Sequence, residues 1–145
     1  MYQFRMPIGD WSQDGHSQCD YYLIQSNKSV EEVREIHFSV PDKTGVNIEE
    51  ICSDYEESSV DSETMEKIIE LGFYRNLKQD SYEEGKETNF SSEDMCKLWI
   101  FLLMKADPTL QLEISKDYKM EMLPFFGFDE KGRHIGFVGY GTFSL

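Results

Sequence analysis

The chain has 145 residues, 39% of them hydrophobic, 14% aromatic and 29% charged. That length and composition fit one globular domain with its own core and exclude a disordered polymer. A formal net charge of -14 repels nucleic-acid phosphates and anionic membrane surfaces, and leaves a basic protein, a cationic ligand or a divalent metal as suitable partners.

The opening residues, Tyr2 to Met6, read as a short strand. No apolar stretch of signal-peptide type occurs there, and Pro7 and Gly9 interrupt it, so the expected location is the cytoplasm. Residues Gly9 to Gln18 are polar with two glycines and predict a loop. Asp20 to Gln25 predict a second strand centred on Tyr21, Tyr22, Leu23 and Ile24, and Asn27-Lys28 a turn.

Ser29 and Glu32 have capping-box spacing and predict a helix start. Val30, Val33, Ile36 and Val40 follow as an apolar stripe, and Pro41 is expected to end or kink the element. A second short helix is expected near Asn47, with Ile48, Ile51 and Tyr55 on its buried face. A third runs from about Ser62, with Met65, Ile68 and Ile69 inward. It closes at Leu71-Gly72-Phe73, where Gly72 supplies a left-handed residue and Phe73 folds back. Tyr74 to Asn89 read as an exposed loop or weak hairpin.

The fourth helix is the most apolar. Ser91 or Ser92 caps it, Glu93 and Asp94 suit its positive end, and Met95 to Lys105 carry it. Leu98 to Met104 are apolar on every side, the mark of a central buried helix, and Pro108 closes it. Beyond it, Leu110, Leu112 and Ile114 alternate with polar residues as a half-buried strand does. Lys119 to Leu123 alternate again, and Phe125 to Phe128 and His134 to Phe143 flank Asp129-Glu130-Lys131-Gly132 as a hairpin. The whole predicts an α+β fold of one domain, residues 1–145. An antiparallel sheet of N-terminal strands and a C-terminal meander packs against about four helices.

Two segments carry candidate chemistry. Asp10, Asp14, His16, Cys19 and Asp20 gather beside glycines and offer carboxylate, imidazole and thiolate, all ligands for a divalent metal. A metal held there would serve a hydrolase by lowering the pKa of a bound water. The spacing is not that of an EF-hand, a HExxH site or a paired CxxC, and the same Asp and Ser types also cap turns through local hydrogen bonds. No other cofactor is evident.

The second segment is acidic. Glu49, Glu50, Asp54, Glu56, Glu57 and Asp61, followed by Glu63 and Glu66, precede the next basic residue, Lys67. Such a run suits a basic protein surface, or forms a solvated helix face. His37 is a helix residue that would need Cys19 or Asp20 beside it for catalysis. The three cysteines, Cys19, Cys52 and Cys96, are scattered and read as reduced thiols. Strand aromatics such as Tyr21, Tyr22, Phe125 and Phe137 supply either a core or a small-molecule pocket.

The stretch Gly9-Asp10-Trp11-Ser12-Gln13-Asp14-Gly15-His16 with Cys19-Asp20-Tyr21 resembles short bacterial proteins, including ones carried on mobile gene cassettes. The resemblance covers the first third of the chain. It implies a bacterial accessory protein of one domain and gives no residue a role.

Overall fold

The computed structural model describes residues 2–12, 15–47, 52–53, 57–73, 88–115 and 138–139. Strand β1 (Tyr2–Ser12) and strand β2 (Gly15–Ser26) form a long antiparallel hairpin. Phe4 faces Ile24 and Met6 faces Tyr22 across the ladder, so one face of the hairpin is apolar. Phe4, Met6 and Ile24 are fully buried on it. The expected loop over Gly9 to Gln18 is therefore largely strand. Polar residues there suggest a loop locally, but ladder pairing across the hairpin decides their backbone, with one irregularity between Asp10 and Ser12.

Helix α1 (Val30–Thr44) begins as its sequence predicts. Ser29 accepts from the Glu32 N–H, and the Glu32 carboxylate accepts from the Ser29 N–H at 3.1 Å. Val30, Val33 and Val40 are buried, and Ile36 is half-buried. Of the two outcomes expected at Pro41, an end or a kink, the end does not occur there. Pro41 lies inside the helix, and the end comes at Gly45, which is left-handed (φ 80°) and whose N–H bonds to the Pro41 carbonyl at 2.9 Å. An interior proline removes the bond its nitrogen would have donated and crowds the turn before it, a cost of ~3 kcal/mol, against which Val40 just before it and Val46 just past the helix end are buried.

The next expected helix, from Asn47 to Tyr55, is corrected at its centre. Cys52–Ser53 is strand β3, paired with Ser58 and Ser59 of strand β4 (Glu57–Val60). A short run of apolar spacing cannot hold a helix against strand pairing, because an isolated helix that short is marginal. Residues 48–51 and 54–56 lie outside the described residues.

Helix α2 (Ser62–Glu70) starts on Asp61, whose carboxylate accepts from the Thr64 N–H at 2.7 Å. Met65 and Ile68 are buried, but Ile69 turns outward, 42% exposed. The end is a complete Schellman motif: Gly72 is left-handed (φ 98°), its N–H bonds to the Ile69 carbonyl, and the Phe73 N–H bonds to that of Ile68.

Strand β5 (Thr88–Ser91) pairs antiparallel with β4 and completes a three-stranded sheet, β3-β4-β5. It runs straight into helix α3 (Ser92–Ala106), and Ser91 is the last strand residue and the helix N-cap at once. Met95, Cys96, Leu98, Trp99, Leu102 and Leu103 are buried. Trp99 meets Phe4 of the hairpin edge to face at 6.2 Å, and α1 packs along α3. Each such buried apolar side chain contributes about 1.5–3 kcal/mol. Three helices thus lie among the described residues.

Strand β6 (Leu112–Ile114) pairs antiparallel with β2, with Leu110 and Leu112 buried and Glu113 exposed, as the alternation predicts. Strand β7 (Val138–Gly139) pairs parallel with β1 at Gly9 and Asp10. The four-stranded sheet has the order β6-β2-β1-β7 and is mixed. The expectation of an antiparallel sheet fails at this pair. The stretch between β6 and β7 exceeds the dozen or so residues that a parallel crossover needs. The expected strand at Lys119 to Leu123 and the rest of the expected C-terminal meander lie outside the described residues. The architecture is α+β, and no helix among the described residues is long and apolar enough to cross a membrane.

Candidate functional site

Four of the five residues expected to ring a metal ion are carried by the strands of the hairpin. Asp10 pairs with Gln18, Cys19 with Gly9 and Asp20 with Ile8, while His16 follows Gly15 at the start of β2. Asp14 lies outside the described residues. Asp10 and Asp20 hold diagonal register positions, which in an antiparallel ladder are typically about 7–8 Å apart. Cys19 and Asp20 occupy successive ladder positions. Among the described residues, no three of His, Cys, Asp and Glu form a group able to hold a metal ion.

His37 is buried between α1 and α3. The Trp99 indole N–H donates to its Nδ1 at 2.9 Å, and Phe38 meets its ring edge to face at 5.5 Å. A buried indole N–H needs an acceptor. That need is met by Nδ1 of His37, which accepts the bond. This nitrogen has a structural task, in a core whose partner lies 62 residues away in sequence.

Of the acidic run, Glu57 lies in β4 opposite Ser91, and Asp61 is the exposed cap of α2. Glu63, Glu66 and Glu70 are exposed along that helix. Lys67 reaches Glu63 at 4.0 Å and donates to the Gly45 carbonyl at 3.4 Å. Glu49, Glu50, Asp54 and Glu56 lie outside the described residues.

A further site was not evident from sequence. An open groove of about 440 Å³ runs along α1 where the end of α3 meets it. One wall is a stripe of α1 and its lead-in: Lys28, Glu32, Glu35, Ile36, Ser39 and Lys43. The spacing of three or four residues places these on one helix face. The opposite wall is Ala106, Asp107 and Pro108. The available sequence signal was a charged stripe of both signs on the face flanking the apolar one.

Two carboxylates of the groove are fixed by local bonds. The Ser29 backbone N–H, then its hydroxyl, hold Glu32 below its ordinary value of 4.5, with help from Lys28. The Thr109 hydroxyl, at 2.6 Å, and its N–H, at 2.9 Å, hold Asp107 below 3.8, with help from Lys28 and Lys43. A carboxylate whose folded value is depressed stabilises the fold fully above its unfolded value, and that stability is lost as pH falls through the folded one. Stability to urea is therefore expected to decline from about pH 5 downward. Glu32→Gln, which keeps the capping geometry, and Asp107→Asn should each make that decline shallower. An unchanged slope in both variants would show that these bonds do not carry it.

Comparison with protein-family models, curated proteins and solved structures finds no match to this chain.

Proposed function

We propose that the protein is an acidic accessory domain that binds a basic protein partner through the segment from Glu49 to Glu66. The observation that carries this reading is the set of eight acidic residues from Glu49 to Glu66 with no Lys or Arg among them, of which Asp61, Glu63 and Glu66 stand exposed at α2. Like charges crowded on one surface repel one another and weaken the fold, and an oppositely charged partner relieves that repulsion. Complementary charge also speeds encounter and suppresses wrong partners. The reading includes a bacterial, cytoplasmic setting. It is supported by the resemblance of the first third of the chain and by three scattered cysteines without a paired spacing.

The test is capture of partners from a bacterial lysate at low salt, followed by binding measurements on any cationic protein recovered. Surface electrostatics are screened within a Debye length of about 10 Å at 0.1 M salt and about 3 Å at 1 M, so the complex should weaken steeply with ionic strength. Glu63→Lys with Glu66→Lys should weaken it further, since both positions are exposed and free of core packing. Asp61→Asn separates charge from capping, because Asn caps as well as Asp. Recovery of no cationic protein at low salt, or affinity indifferent to salt and to these reversals, would overturn the proposal.

A further inference from the structure

We propose that the groove between α1 and the end of α3 binds a small zwitterion with one ammonium, one carboxylate and a compact apolar part, the chemistry of a free aliphatic amino acid. The reasoning starts from which groups of the groove are already committed. Glu32 is held in the capping box by Ser29, and Asp107 is held by Thr109. The Ser39 hydroxyl donates to the Ile36 carbonyl at 2.7 Å.

The remaining charged groups make no direct ion pair, although Lys28 and Lys43 lie close enough to Asp107 to favour its charged form. Among the described residues, neither Lys28 nor Lys43 has an ion-pair partner within 4.0 Å, whereas Lys67 and Lys97 each reach a glutamate one turn earlier. Glu35 is exposed and likewise has no ion-pair partner among the described residues. The available charge is thus one carboxylate with an ammonium toward each end of the helix. The apolar surface between them is Ile36 with Ala106 and Pro108.

This arrangement discriminates by charge. A simple anion attracted by the lysines meets Glu32, Glu35 and Asp107. A simple cation attracted by those carboxylates meets Lys28 and Lys43. Among the described residues no three of the acidic groups are placed together so as to hold a metal ion. A zwitterion satisfies both signs at once, with its ammonium on Glu35, its carboxylate on a lysine and its aliphatic part on Ile36. The volume of about 440 Å³ lies within the range of small-molecule sites. Because Glu32 and Asp107 are immobilised by their own hydrogen bonds, the walls are set before a ligand arrives, which lowers the cost of binding.

The experiment is an amide NMR titration of the whole chain with L-leucine, 3-methylbutylamine and 4-methylpentanoate. The last two are leucine without its carboxylate and without its ammonium. Leucine should shift the amides of Glu32 to Lys43 and of Ala106 to Thr109 saturably. Each single-charge analogue should bind roughly tenfold more weakly, the scale of one charge-assisted contact. Glu35→Gln and Lys43→Gln should weaken leucine binding comparably, and Lys97→Gln, away from the groove, should leave it unchanged. The absence of saturable shifts, shifts elsewhere, or equal binding of leucine and either analogue would each overturn the proposal. The comparison of the three compounds on the unaltered chain stands even if a variant fails to fold.

Discussion

Trp99→Ala is expected to lower the unfolding free energy by about 3–5 kcal/mol, the range for emptying a buried large aromatic site. The side chain is fully buried at the point where the hairpin, α1 and α3 meet, with the Phe4 ring against it and its N–H on His37. For a chain of this size each kcal/mol moves the melting midpoint by roughly 2–4 °C, so the loss should exceed about 6 °C. Trp99→Phe isolates the polar part. It keeps most of the apolar ring but leaves the His37 Nδ1 without this donor, at a cost of about 1–3 kcal/mol. A double-mutant cycle with His37→Leu measures the coupling in urea denaturation. Strictly additive effects would mean that the Trp99–His37 bond adds nothing to stability.

Phe90→Ala should cost about 3–5 kcal/mol as well, but with a different distribution. Phe90 is fully buried on β5 and stacks with Phe73, the residue that closes α2, at 6.3 Å. Phe73 in turn lies 5.2 Å from Phe101 of α3. The three rings join the small sheet, the end of α2 and one side of α3. Hydrogen exchange should therefore accelerate more in β4, β5 and α2 than in the β1–β2 hairpin, since loss of a local contact lowers the opening energy of its own unit first. Uniform acceleration throughout would show that the two sheets open as one unit and would refute this division.

The elements legible in the sequence are those whose cause is local. The Ser29–Glu32 box, the Gly72–Phe73 ending, a serine cap at Ser91 or Ser92 (Ser91 in the structure) and the alternation of Leu110, Leu112 and Ile114 are set by residues a few positions apart, and all stand in the structure. The misread elements depend on distant strands. Gly9 to Ser12 look like a loop until β2 is laid beside them, and Cys52–Ser53 look helical until β4 pairs with them. At Pro41 the helix continues for one more turn and ends at Gly45, so the position of the stop is set by the glycine and not by the proline. The groove was invisible for a related reason. Its stripe on α1 is legible, but the Asp107 wall arrives from the far end of another helix.

The order of strands in the larger sheet also governs how the chain assembles. The central pair, β1 and β2, is made first and closes on itself as a local hairpin. Both its edges wait for residues that leave the ribosome much later: β6 for one side, β7 for the other. Until then the nascent hairpin presents two open rows of backbone donors and acceptors beside an apolar face, the condition under which strands recruit neighbours. Closing those edges pairs residues far apart in sequence and so proceeds slowly. The interval between completion of the hairpin and arrival of β7 is the period when wrong strand pairing competes most directly with the native sheet.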